Sequence, residues 1–226
     1  MKKNLIQKKF IKDNSILQKF KMQVLSPFGP KLGKIKLPKK LIKKINIEVE
    51  KIISKNLSKK NDYSNKVVGQ VYQEIQLPRN FINKQIKNFI EKNLSIYLKK
   101  SLNKKTKKVI IKNFWVVRQF KNEYNPVHFH SGDISGVGYL KVPKNLGEPY
   151  QKNKPNFNGQ LQLIHGSRMF MSKSTFDVKP KVGDFYFFPN YLMHQVFLFI
   201  DTDEERRSIS FNALIDENIY DVYSPN

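Results

Sequence analysis

Apolar residues recur along the first hundred positions with the period of a helix, and along the remainder with the spacing of short strands. After Pro38, the residues Leu41, Ile42, Ile45, Val49, Ile52 and Ile53 fall on one face of a 3.6-residue repeat. That predicts an amphipathic helix opened by a proline. After Pro78 a second series, Phe81, Ile82, Ile86, Phe89, Ile90, Leu94 and Tyr97, keeps the period to about Lys100 and predicts a second helix. The Asn-, Ser- and Lys-rich stretch 54–66 and the basic stretch 99–108 read as loops. Residues 1–25 carry only a loose apolar pattern, that of an arm or a poor helix.

The texture changes at Val109. Short β-branched and aromatic runs follow at 109–111, 114–117, 137–142, 161–164, 185–188, 195–200 and 208–211, with Asn-Pro, Ser-Gly-Asp, Val-Gly-Asp and Asp-Thr-Asp between them. Many short strands at close spacing predict an antiparallel sandwich or small barrel. No repeat of ~20–50 residues is visible.

At 226 residues the chain fits one compact domain with a helical extension. Its hydrophobic content of 39% suffices for a core and excludes a wholly disordered chain. The longest apolar runs, such as 196–200, fall far short of the ~20 residues of a spanning helix, and the N-terminal residues show no uninterrupted apolar leader. A soluble, cytoplasmic protein with no membrane partner is therefore expected. Cysteine is absent, which excludes disulfides, thiol nucleophiles and thiolate-bound metals, so any metal must sit on His, Asp or Glu.

A formal net charge of +24 ordinarily suggests a polyanionic partner. Residues 1–110 hold 29 basic and 6 acidic side chains, whereas residues 111–226 hold 13 and 12. The charge thus belongs to the helical half. Lysine there travels with Asn and Ile, whose codons are AT-rich, so genome composition competes with nucleic-acid binding as its explanation.

All four histidines lie in the strand-rich half: His128, His130, His165 and His194. On an extended segment, the i, i+2 spacing of His128-Phe129-His130 turns both imidazoles to one side, a common start to a site for iron, copper, nickel or zinc. His194 follows directly after the Gly183 to Asn190 stretch. Twelve residues on, Arg206, Ser208, Ser210 and Asn212 alternate with Arg207, Ile209 and Phe211. A strand here would line one face with a cation, hydroxyls and an amide, and an Arg with a Ser two residues on can clamp a carboxylate. Spacing and alternation both select Arg206 over Arg207.

This ordered set comprises His128-Phe129-His130, Ser135-Gly136 through Pro143, Gly159-Gln160-Leu161, Phe188-Pro189, His194 and Glu205-Arg206-Arg207-Ser208-Ile209-Ser210-Phe211-Asn212. It resembles the Fe(II)/2-oxoglutarate-dependent oxygenases, and within them an oxygenase family of bacteria and their viruses. The resemblance covers about residues 109–215. It implies an α+β, mainly β fold, a double-stranded β-helix (jelly-roll, cupin-like) with supporting N-terminal α-helices. The expected domains are a basic helical region at 1–108 packed on the core, the catalytic core at 109–215 and a tail at 216–226.

The resemblance further implies Fe(II) on His128, His130 and His194, with 2-oxoglutarate chelating the metal and meeting Arg206 and Ser208 through its distal carboxylate. O2 is the other co-substrate, and the expected activity is a dioxygenase, as a hydroxylase, acting on a protein, nucleic-acid or small-molecule substrate. Most of the superfamily places Asp or Glu where His130 stands. A second ligand set, His130, Asp133 and His194, therefore stays open, as does a site of two histidines and water. Trp115, Tyr139, Phe185 and Phe187 are read first as core residues that could also line the pocket, and His165 as structural or substrate-facing. Two other readings compete: a non-oxygenase cupin-type metal-binding protein, for which no Glu follows His130 at the expected step, and a basic nucleic-acid-binding protein with an inactive barrel.

Overall fold

The computed structural model describes residues 22–27 and 29–220, so the arm expected at 1–25 lies, up to residue 21, outside the described residues. Eleven strands form among them: β1 (Gln23–Leu25), β2 (Leu32–Lys36), β3 (Gln73–Gln76), β4 (Val109–Gln119), β5 (Asn125–His128), β6 (Ile134–Lys141), β7 (Leu161–Ile164), β8 (Thr175–Val178), β9 (Asp184–Pro189), β10 (Met193–Val196) and β11 (Arg206–Ile215). They assemble into a seven-stranded sheet, ordered β1-β2-β9-β6-β11-β4-β3, and a four-stranded sheet, ordered β5-β10-β7-β8. Every pairing is antiparallel. The two sheets form a double-stranded β-helix, and the space between them holds the apolar cluster around Tyr139, Leu161, Leu163, Phe188 and Val196.

Both expected helices form. Helix α1 (Lys39–Ser54) buries Leu41, Ile45, Val49 and Ile52. Helix α2 (Lys87–Leu102) is preceded by a helical turn at Arg79–Phe81 and a π-helical turn at Ile82–Ile86, and ends at Asn103 in the left-handed conformation. Their apolar faces cover the outer face of the larger sheet, meeting Val116, Phe185, Phe187, Ile209 and Phe211 in one core. The lysines of α1 and α2 occupy the faces turned away from that core. Gly136 and Gly138 of β6 make this packing possible. A Cβ at either would come within 2.3 Å of the Phe211 or the Phe185 ring.

Helix alone does not describe the first 108 residues. Strands β1 and β2 extend the larger sheet beyond β9, and β3 closes its other edge on β4, so pairing crosses the expected boundary. The strand expected at 195–200 ends at Val196, where Phe197 turns its backbone N–H to the Gln160 carbonyl. Past residue 215 a short helix, α3 (Glu217–Tyr220), ends the described chain. No helix among the described residues is long and apolar enough to cross a membrane.

Candidate metal centre and its pocket

Strands β5 and β10 are neighbours in the smaller sheet, and their register sets His194 opposite His128. His130 lies two residues past His128, beyond the end of β5. Asn190 fixes it there, accepting the His130 backbone N–H at 3.0 Å and donating its side-chain amide to the His130 carbonyl at 3.0 Å. His128 Nδ1 donates to the Pro126 carbonyl at 2.7 Å and His194 Nδ1 to the Leu192 carbonyl at 2.8 Å. A carbonyl only accepts, so both Nδ1 atoms carry the proton and both Nε2 lone pairs are free to face the centre.

There they converge. His130 Nε2 and His194 Nε2 stand 3.1 Å apart, and one ring nitrogen from each of the three histidines lies within 4.8 Å of the others. Two metal–nitrogen bonds of ~2.1 Å at right angles would set their nitrogens about 3 Å apart. The donor set therefore fits a first-row metal ion. Burial holds all three imidazoles below the ordinary histidine range, His130 down to about 3, and mutual proximity adds to this for His130 and His194. Neutral imidazole is the metal-binding form.

Asp133 does not join them. Gly132, at a φ of +97°, turns the chain just before it, and its carboxylate accepts the Ile215 backbone N–H at 2.9 Å. Among the described residues the metal-capable cluster is His128, His130 and His194 alone. His165 sits in the β7–β8 turn with its imidazole against Gly29, away from the cluster.

The same pocket is lined by Arg206, Ser208 and Ser210 of β11. Arg206 is fully buried. Its Nε donates to the Gly159 carbonyl at 3.1 Å and its Nη1 to Gln119 Oε1 at 3.0 Å, and its guanidinium lies over the Tyr139 ring. Nη2 has no hydrogen-bond partner, nor does the Tyr139 hydroxyl. A buried cation with an unmet donor is costly to the fold. It suits a carboxylate delivered by a ligand. Arg207 faces the other way, into Glu205, Glu50 and Asn46.

Trp115 lines the pocket, edge-on to His130 with ring centroids 5.6 Å apart, whereas Phe185 and Phe187 lie in the outer, helix-covered core. Two polar lining residues lie outside the motifs: Glu74 on β3 and Asn125 at the start of β5. Glu74 sits in a half that reads as basic and helical, and a short Gln-Glu-Ile-Gln strand has no β-branched or aromatic alternation to mark it.

Residues 113–212 match the family model described as "Putative 2OG-Fe(II) oxygenase". Among solved structures, the chain is similar to a prolyl-4-hydroxylase from Pseudomonas putida, at 14% identity and a TM-score of 0.52, covering 81% of this chain and 91% of that one. The non-heme alpha ketoglutarate dependent epimerase SnoN from nogalamycin biosynthesis gives 11% and 0.52 over 81% and 77% of the two chains. HygX from Streptomyces hygroscopicus, with iron bound, gives 11% and 0.51 over 80% and 81%. Likeness at such identities speaks to the fold. A search of curated protein sequences finds no match.

Proposed function

We propose that the chain, whose residues 113–212 match the 2OG-Fe(II) oxygenase model, hydroxylates a prime substrate, with iron on His128, His130 and His194 and 2-oxoglutarate held by Arg206 and Ser208. Fe(II) and 2-oxoglutarate are the cofactor and co-substrate of this enzyme class, with O2 the second co-substrate. One observation carries the assignment of residues: three inward-facing imidazoles and a buried guanidinium with an unmet N–H share one pocket. A cupin that binds metal without a dicarboxylate leaves that N–H unexplained.

Bound iron and 2-oxoglutarate supply the oxidation, in which O2 decarboxylates 2-oxoglutarate to succinate and CO2 and one oxygen atom passes to the substrate. The chain's own part is to position and to exclude water. His128 and His194 are held by their carbonyl bonds in the tautomer that presents Nε2. Arg206 Nη2 and the Tyr139 hydroxyl, both unmet, would hold the distal carboxylate of 2-oxoglutarate, with Ser208 beside them on the same face. Gln119 and the Gly159 carbonyl hold the guanidinium in that pose. Val137, Leu161, Phe188 and Val196 keep the floor of the pocket apolar.

The test is spectroscopic. Protein loaded anaerobically with Fe(II) and 2-oxoglutarate should develop the weak metal-to-ligand charge-transfer band in the visible region. No band, with iron shown to be bound, would sink the oxygenase reading. His194→Ala should abolish stoichiometric Fe(II) binding as measured by metal analysis, while Asp133→Asn should leave it intact.

A further inference from the structure

Glu74 is the acidic side chain of the pocket that the proposed chemistry does not use. Its strand, β3, forms one edge of the larger sheet, and the register sets Glu74 beside Val117, Val117 beside Ser208 and Ser208 beside Tyr139. Residues level with one another across antiparallel strands share a face, so Glu74 points to the same interior as Ser208, two strands away. It is 1% exposed, and its Oε2 has no hydrogen-bond partner. Among the described residues no Lys, Arg or His forms an ion pair with it.

A second orphan stands nearby on the opposite sheet. Asn125 Oδ1 is buried and also without a partner. Gly69 lies between the two: a Cβ there would come within 3.1 Å of both Glu74 Oε1 and Asn125 Oδ1. Both side chains therefore reach the same spot, and neither Glu74 Oε2 nor Asn125 Oδ1 meets a donor there. A fold that used Glu74 only for its own stability would have paired it, because an unpaired buried carboxyl costs several kcal/mol at the scale of such groups. Val67, Val117 and Trp115 flank this spot with apolar surface.

We propose that Glu74 and Asn125 anchor the prime substrate by a cationic nitrogen, an ammonium or guanidinium at the end of an aliphatic chain. A protonated amine offers donors to both oxygens and a charge to the carboxylate, the strongest complement available to this pair. The stem of such a group would run along Val67, Val117 and Trp115. Burial, and after it the charge of Asp62, push the Glu74 carboxyl up to about 8, so the empty pocket disfavours its ionised form and an incoming cation restores it. The lysine-rich surface repels cations at long range, but that repulsion is screened within about 8 Å at physiological salt. The proposal rests on the oxygenase reading only in calling the bound molecule a substrate.

Trp115 is the sole tryptophan of the chain and lines this pocket, so its fluorescence reports occupancy. The probes are n-butylammonium and n-butylguanidinium, with n-butanol as the uncharged control, titrated into the full chain with and without Fe(II) and 2-oxoglutarate under anaerobic conditions. The cations should change the emission saturably, the alcohol should not at equal concentration, and Glu74→Gln should weaken the cations about tenfold or more. Asn125→Asp, which adds a second carboxylate, should tighten them several-fold, a gain that misfolding does not produce. Equal response to the alcohol, no saturable response to either cation, or unchanged affinity in both variants overturns the proposal. The charge-transfer band recorded on the same samples separates the two readings: a normal band without amine binding overturns the anchor alone, and amine binding without the band overturns the oxygenase.

Discussion

Arg206 and Arg207 are adjacent on β11 and equally buried, at 1% and 0% exposure, yet they stand on opposite faces of the larger sheet and in opposite conditions. Every nitrogen of Arg207 has a partner. Its Nε and Nη2 grip Glu205 at 2.6 and 2.7 Å, Nη2 reaches Glu50 of α1 at 2.9 Å, and Nη1 donates to Asn46 at 3.1 Å. Burial raises the Glu205 carboxyl, but hydrogen bonds from Arg207 and Arg118 outweigh it and hold the group below the usual range. Arg206, facing the pocket, keeps one nitrogen unmet. The outer face of the sheet is finished by the fold, joining it to helix α1. The inner face is left incomplete at Arg206, Tyr139 and Glu74, with Asn125 unmet across from it on the smaller sheet, which is what a binding site requires and a structural core avoids.

The largest effect should come from the finished face. Arg207→Ala removes a fully buried side chain and leaves the part-buried Glu205 to Arg118, and should cost ~3–5 kcal/mol of stability, read as a fall in Tm or in the urea midpoint. If the loss were small, the outer cluster would be dispensable and the contrast would fail. On the unfinished face, Arg206→Lys keeps the charge but removes the free Nη2. It should weaken 2-oxoglutarate by ~2–3 kcal/mol, about thirty- to 150-fold in a titration of the charge-transfer band, and lower Tm less than Arg207→Ala does. The reverse ranking would place the co-substrate on the wrong side of the strand.

Much of this contrast is legible in the sequence, and the reason is local. Strand alternation assigns neighbouring residues to opposite faces whatever the tertiary context, so Arg206 separates from Arg207 on spacing alone, and His128 joins His130. The two proline-led helices are equally local, because a 3.6 period over four turns is a long signal. Glu74 and Asn125 were hidden because their meaning depends on which strand pairs with β4 and which with β10, a long-range fact that two four-residue strands cannot encode. The fate of Asp133 was hidden for a different reason. It turns on the positive φ of Gly132, which redirects the carboxylate toward the end of β11.

Glu74 extends the contrast to pH. Its carboxyl rises in the fold from an ordinary value near 4.5 to about 8, chiefly through burial, with Asp62 adding to it. A raised acid pKa means the folded chain holds the proton more tightly than the unfolded one. The associated stability is present below about pH 4.5 and is lost as pH rises toward 8. Glu74→Gln carries no such group, so its stability relative to the native chain should rise by about 2 kcal/mol across that window, read as a gain in Tm, and stay level above it. A constant difference across the window would mean that Glu74 is ionised or paired throughout.

Lys141 provides the smallest and most discriminating test, because it touches the finished face from outside. Its Nζ lies 2.9 Å from Glu50 and 3.6 Å from Glu205, the same two carboxylates that hold Arg207, but 41% of its side chain is exposed. The Glu50 carboxyl is held below its ordinary value first by the Lys141 hydrogen bond and then, against some burial, by Arg207. Geometry alone would rank Lys141 beside Arg207. Solvent does not: an exposed pair gains little over hydration and loses side-chain freedom. Lys141→Ala should therefore cost under ~1 kcal/mol, no more than about 2–4 °C in Tm, and added salt should shrink the difference further. A cost close to that of Arg207→Ala would show that the cluster acts as one unit, with the finished face sealed by its rim as much as by its buried arginine.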